Sequence, residues 1–176
     1  MVTLKKLRTP LEKLTIHSTS KSEIDLIIAI ENNTENSQFI FPNSKTEHIG
    51  LISNNDFAHL TLKTNVNNIV GYVILAGLEN RNRSIELRRI VINQKGKGFG
   101  RKTIKQIRKR CFKEHNCHRL WLDVLETNER ARQLYKSEGF VEEGILRESV
   151  WVDGKYVNLI VMSILESEYR ATWKES

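Results

Sequence analysis

Six residues, K-G-K-G-F-G at 95–100, have the types and spacing to hold an anion. A β-branched run, S-I-E-L-R-R-I-V-I, precedes them and predicts a strand over residues 85–92. After them Phe99, Ile104, Ile107, Cys111 and Phe112 recur at mostly helical spacing. A strand, a glycine-rich turn and a helix aim unpaired backbone N–H groups at a phosphate. Glycine is needed there because the turn visits left-handed backbone and a ligand must come close to it. Nine basic residues and no acidic one fall between residues 95 and 113, and Lys95, Lys97, Arg101 and Lys102 lie at the phosphate end.

Spacing selects among phosphate loops. The P-loop pattern G-x-x-x-x-G-K-[ST] fails, because the position five after Gly96 is Arg101. The dinucleotide fingerprint G-x-G-x-x-G loses its third glycine at the same residue. Asp123, at the end of the next strand, does imitate the ribose-binding acid of that fold. A Rossmann-type dinucleotide binder therefore stands as an alternative, although some eighty residues without βαβ character precede the loop.

The elements around the loop follow from pattern and punctuation. Residues 11–17 read as a first strand, and Ser22 as the cap of a helix through E-I-D-L-I-I-A-I-E-N-N. Residues 32–55 are polar and irregular, with a short helix near 44–52. Strands are expected over 57–63 and 69–78, and after the helix over 118–124 parallel to 85–92. Thr127 or Asn128 caps a further helix with Ala131, Leu134 and Tyr135 on one face, and Gly139 stops it. Residues 140–152 and 155–165 form a hairpin over Asp153-Gly154. The expected fold is a single α/β domain (α+β), 1–176. Its sheet is mixed and mostly antiparallel, flanked by helices and containing one parallel strand pair.

With the elements placed, a family resemblance can be read. The loop resembles [QR]-x-x-G-x-[GA], the pyrophosphate loop of the GNAT superfamily of N-acetyltransferases, with Lys95 where the family has Gln or Arg. Residues 128–140, N-E-R-A-R-Q-L-Y-K-S-E-G-F, resemble its second motif, N-x-x-A-x-x-L-Y-x-x-x-G-F. The segment after it resembles the branch containing ribosomal-protein alanine and spermidine N-acetyltransferases. The likeness covers roughly residues 69–169 and leaves 1–68, where acceptor selection is expected, unmatched.

The resemblance implies acetyl-CoA as co-substrate, no metal, and direct transfer to a primary amine. The two parallel strands would splay to admit acetyl-CoA. Backbone groups of Ile90 and Ile92 would bind the pantetheine, and the N–H of Val91 would polarise the thioester carbonyl. Lys95, Gly96, Lys97, Gly98, Phe99, Gly100 and Arg101 would hold the pyrophosphate, with Asn128 as a further contact. Tyr135 would donate a proton to the leaving thiolate, and Glu86 would act as base through water. Without the motif, Tyr135 reads as a half-buried aromatic, Glu86 as a solvent-facing strand residue and Asn128 as a helix cap alone.

Composition bounds the remaining classes. Hydrophobic content of 39% with 28% charge is that of a globular protein. The net charge of +7 is local: without the nine basic residues of 95–113, 19 basic face 21 acidic. A nucleic-acid partner is therefore not expected, although a non-catalytic basic module is the third class to test. Cys111 and Cys117 form no disulfide framework or metal spacing, nor do the five histidines. No signal or membrane-length apolar run is seen, so the expectation is a cytoplasmic enzyme without membrane contact. Its partners are acetyl-CoA and an amine, and a homodimer is left open. A polyamine site needs a dense acidic lining, whereas Glu12, Glu23, Asp25, Glu31, Glu35, Glu47 and Asp56 are scattered. Charge therefore favours a peptide N-terminus or small monoamine over spermidine.

Overall fold

The computed structural model describes residues 13–173. Strands β1 (Leu14–Ser18), β2 (Phe57–Thr64), β3 (Ile69–Ala76), β4 (Ser84–Ile92), β5 (Arg119–Leu125), β6 (Val141–Val152) and β7 (Lys155–Leu165) form one sheet. Its spatial order is β1-β2-β3-β4-β5-β7-β6. Every neighbouring pair is antiparallel except β4 with β5. A Rossmann sheet is built from parallel crossovers, so that alternative is overturned. The expected mixed sheet is the one found.

Helices α1 (Ile24–Glu31), α2 (Thr34–Ser37), α3 (Lys45–Ile52), α4 (Phe99–Lys109), α5 (Glu129–Ser137) and α6 (Glu166–Trp173) complete the fold. Alternation along β3 shows how the layers divide. Val73 and Leu75 join the core under α4, with Phe99, Ile104, Ile107, Leu120 and Leu122. Tyr72 and Ile74 point the other way, to Ile27 and Ile30 of α1. Successive strand residues face opposite sides, so β3 is apolar on both. Its eight residues bury all but Ile69.

Several boundaries differ from the sequence reading, each for a local reason. Of the expected strand 11–17, residues 11 and 12 lie outside the described residues, and β1 starts at Leu14. Ser20, not Ser22, opens the first helical segment, as a capping box with Glu23 over a single 3₁₀ turn. Residues 34–37, read as irregular, make the short α2 because the Asn33 side chain accepts from the N–H of Glu35 at 3.0 Å. The helix expected to run from 99 to 112 leaves α geometry at Lys109 and continues as a wider π turn over Arg110–Glu114. That turn still buries Cys111 and Phe112, so the apolar spacing survives the change of pitch.

Candidate active site

β4 and β5 pair only at Ser84–Arg119, Ile85–Leu120 and Glu86–Trp121. Immediately beyond, β4 carries a bulge: Ile74 faces Arg89 and Leu75 faces Leu87, leaving Arg88 extra. A bulge bends its strand and increases the local twist, while β5 stays paired to β7 as far as Leu125–Leu159. The strands part and leave a cleft of about 1180 Å³. This is the expected splay, and the bulge supplies its physical cause.

The bulge also sorts the side chains of β4. Leu87 and Ile90 join the core under α4. Arg89 turns to the opposite face and donates to the buried Glu31 at 2.9 Å. Backbone directions follow from the pairing. Asn93 N–H donates to Val70 O, and the Val91 carbonyl lies against Gly71, where an added Cβ would meet it at 2.1 Å. Val91 therefore gives its backbone polar groups to β3. Those of Ile90 and Ile92, one residue either side, face the cleft. The Val91 N–H expected at the thioester is thus engaged in the sheet, and the exposed donors are its neighbours.

The turn before α4, where the cradle is expected, lines the cleft. Gly96 and Gly98 have φ of 78° and 75°, and an added Cβ at either would meet nothing within 4 Å. Gly98 is the N-cap of α4 and has no side chain to satisfy the first turn. The first intrahelical bond there is Lys102 N–H to Gly98 O. The N–H groups of Phe99, Gly100 and Arg101 precede it and are available to an anion. Gly100 has a different reason: a Cβ there would sit 3.2 Å from Leu134 on α5. It lets two helices approach rather than a ligand.

The basic side chains are less committed to phosphate than their spacing implied. Arg101 donates to Glu138 at 2.7 Å, and Lys95 donates to Asn36 of α2. Lys97 is exposed and does not line the cleft. Phe99 is buried in the core, so only its backbone serves the loop. What the turn offers to an anion is therefore chiefly backbone.

The groups expected to do the chemistry also line the cleft. Asn128 caps α5 by accepting from Ala131 N–H at 3.2 Å, which spends its oxygen and leaves its amide N–H groups. Gly139, with φ of 89°, ends the helix as expected, and Phe140 N–H bonds back to Tyr135 O. Tyr135 is 7% exposed, and its phenol is raised by burial and by the charge of Asp123. Glu86 faces the cleft; burial raises its carboxyl most, Arg88 opposes and Asp123 adds to the rise.

Two features were not found from sequence. Asp123 was singled out only as a ribose mimic, yet it lines the cleft beside Glu86. A buried network behind β4 was missed because its members are distant in sequence. Glu31 accepts from Tyr72 and Arg89 and contacts His48 at 3.3 Å; His48 meets His59 at 2.9 Å, and His59 meets Thr19 at 2.8 Å. His59 gave no distinct signal, because it alternates with Thr61 and Lys63 and reads as part of a polar strand face. No metal cluster occurs among the described residues, and no described helix is long and apolar enough to cross a membrane.

Known proteins share this fold. The spermidine N(1)-acetyltransferase of Vibrio cholerae is 37% identical over 103 residues, covering 58% of this chain and 60% of that protein. The Escherichia coli K12 spermidine N(1)-acetyltransferase is 31% identical over 105 residues, 59% of this chain and 56% of that one. The aligned stretch thus spans less than two thirds of these relatives. A solved structure of the Vibrio cholerae enzyme in complex with CoA and spermine superposes with a TM-score of 0.81 at 30% identity, over 89% of this chain and 98% of that one. Another from the same organism, described as dodecameric, has a TM-score of 0.77, 29% identity, and covers 89% and 95%. The acetyltransferase (GNAT) family model matches residues 27–140, the span that builds both walls of the cleft, and the chain belongs to that family.

Proposed function

We propose that the protein transfers the acetyl group of acetyl-CoA directly to a primary amine, and that the amine is a polyamine of the spermidine class. The observation that carries the transfer is a single cleft lined by the glycine-rich turn, Glu86 and Tyr135 together. The cradle fits a pyrophosphate, since open space lies over Gly96 and Gly98. Ile90 and Ile92 offer the amide-binding edge, and the N–H of Ile90 takes the oxyanion role first given to Val91.

The acceptor arrives as an ammonium and gives one proton through water to Glu86, whose raised carboxyl suits a base. The neutral nitrogen attacks the thioester carbon, the C–N bond forms and the C–S bond breaks. The sulfur takes a proton from the Tyr135 hydroxyl, the second amine proton leaves to solvent as the amide forms, and proton exchange with solvent restores Tyr135 and Glu86.

For the acceptor, the relatives favour spermidine over the peptide N-terminus expected from charge. The N-terminal acids do not account for it. Glu12 lies outside the described residues, and Glu23, Asp25, Glu31, Glu47 and Asp56 are each taken up by nearby partners. Only Glu35 of that set lines the cleft. The acids that do so otherwise are Glu86, Asp123 and Glu129, while Arg89 and Arg101 are held by carboxylates of their own. That removes part of the repulsion expected of the basic cradle, while Arg88, Lys95 and Arg130 also line the cleft. A homo-oligomer is our reading of the assembly, with the dimer as one size among several.

A thermal-shift panel with acetyl-CoA, CoA, NAD, NADP and an oligonucleotide, followed by thiol release with spermidine and with a short peptide, tests this. Acetyl-CoA and CoA should raise the melting temperature, and spermidine should show the higher kcat/KM. No shift with acetyl-CoA overturns the transferase; preference for the peptide overturns only the acceptor.

A further inference from the structure

We infer that Asp123 is the specificity-determining carboxylate of this site, holding a second ammonium of the acceptor while the reacting one lies at Glu86. The inference rests on the polyamine reading above and names the residue that would enforce it.

The placement comes from the sheet. Glu86 pairs with Trp121 across the last rung of the parallel pair, and Asp123 is two residues further along β5. Residues i and i+2 of a strand share a face. Leu122 and Val124 point into the core under α4, so Asp123 points to the opposite face. Ile85 and Leu87 also point into that core, which puts Glu86 on the same face as Asp123. Two residues of strand advance the chain by about 6.6 Å, and neighbouring strands lie about 4.8 Å apart. The two Cα positions are therefore roughly 8 Å from each other before the splay widens them. Side chains leaning together close that to a gap that three or four methylenes, roughly 5–6 Å of chain, can bridge.

The electrostatics agree with the geometry. Asp123 raises Glu86 on one side and Tyr135 on the other, which places its charge within reach of both the candidate base and the candidate acid. Asp123 is exposed to the open cleft; partial desolvation against the cleft wall raises it, and the opposing influence is Arg88. Arg88 lies over the Phe57 ring at 5.7 Å and is exposed. Among the described residues, neither Glu86 nor Asp123 forms a salt bridge. Two carboxylates facing one cleft without a bonded cation, against one stacked arginine, leave room for a ligand's positive charge. A diamine supplies one ammonium to each; a monoamine satisfies Glu86 alone.

The test compares kcat/KM for spermidine, 1,3-diaminopropane and propylamine in the wild type, Asp123→Asn and Asp123→Glu, with acetyl-CoA affinity measured on each. Asp123→Asn should lose about tenfold on both polyamines, mostly in KM, and much less on propylamine. Asp123→Glu should recover part of the loss. Removing the Asp123 charge should also move the acid limb of the kcat/KM profile to lower pH, since that limb reports Glu86 in the free enzyme. Equal losses on diamine and monoamine, or an unmoved acid limb, would overturn the assignment. A wild type that binds acetyl-CoA but acetylates none of the three amines would instead sink the acceptor reading on which it rests.

Discussion

Tyr135 shows how a single residue's surroundings set the size of its contribution. A phenol of ordinary pKa about 10 gives its proton to a thiolate of about 8.5 at a modest cost. Here burial and Asp123 push the phenol higher, so complete transfer is more uphill than sequence alone implied. In the proposed mechanism the hydroxyl is protonated in the resting enzyme, and its hydrogen bond to the developing thiolate must offset that cost as the proton passes to sulfur. Tyr135→Phe keeps the ring packed against Phe140, whose centroid is 5.8 Å away. Fold and acetyl-CoA affinity should survive, and kcat should fall toward the lower end of the usual range for a positioned acid, about 10². Single-turnover rates on the variant decide the matter; an unchanged rate would remove Tyr135 from the mechanism.

At the scale of elements, the two loop glycines separate ligand approach from helix packing. Gly98→Val puts a β-branched residue at φ 75° and fills open space in the cradle. It should cost about 1–2 kcal/mol of stability and reduce acetyl-CoA affinity tenfold or more. Gly100→Val should instead force Leu134 away and lower the melting temperature with a smaller direct effect on binding. Lys105→Gln and Lys109→Gln, on the solvated face of α4, should change affinity little. Titration calorimetry alongside melting curves separates these outcomes, and equal affinity losses in all four would mean that charge holds the co-substrate. The loop, α5 with its cap and stop, and the hairpin were legible because their signals are local. Glycines, an Asn cap and Asp153-Gly154 each act within a few residues. The bulge at Arg88 was not legible, because it is defined by what β3 does opposite. The register of β4 against β3 gives the backbone of Val91 to the sheet, so the donors left facing the cleft are those of its neighbours. Asp123 was visible as a residue, but its proximity to Glu86 depends on the register of β4 with β5.

The whole molecule contains a polar spine behind the cleft that governs its response to acid. It runs from Arg89 on β4 through Glu31, His48 and His59 to Thr19, Thr61 and Glu23, and ends at Lys63 and His17. Burial alone would raise the Glu31 carboxyl, but His48, Tyr72 and Arg89 together hold it below the usual range. Glu23 is likewise raised by burial and then lowered to about 2 by Lys63, the Ser20 N–H and His17. His59 is 4% exposed, and burial, with His48 adding, lowers it from 6.5 to about 4. Below pH 6.5 the unfolded chain therefore binds a proton at His59 that the folded chain refuses until about pH 4. Stability from this residue is fully present above 6.5 and lost as pH falls toward 4, by about 3 kcal/mol. Glu23 contributes above its unfolded value of 4.5 and loses that contribution as pH falls further, through about 2. The expected profile is a decline in two stages, histidine first and carboxylates after. His115 is also lowered, but it is exposed and screened, so its share is small. Urea unfolding at pH 7, 6, 5 and 4 measures the first stage. His59→Gln, which keeps a polar contact toward His48 without titrating, should be less stable at pH 7 yet nearly flat between 6.5 and 5. A wild type whose unfolding midpoint is equally flat over that interval would mean that the spine takes up protons without strain, and that His59 is not its sensitive link.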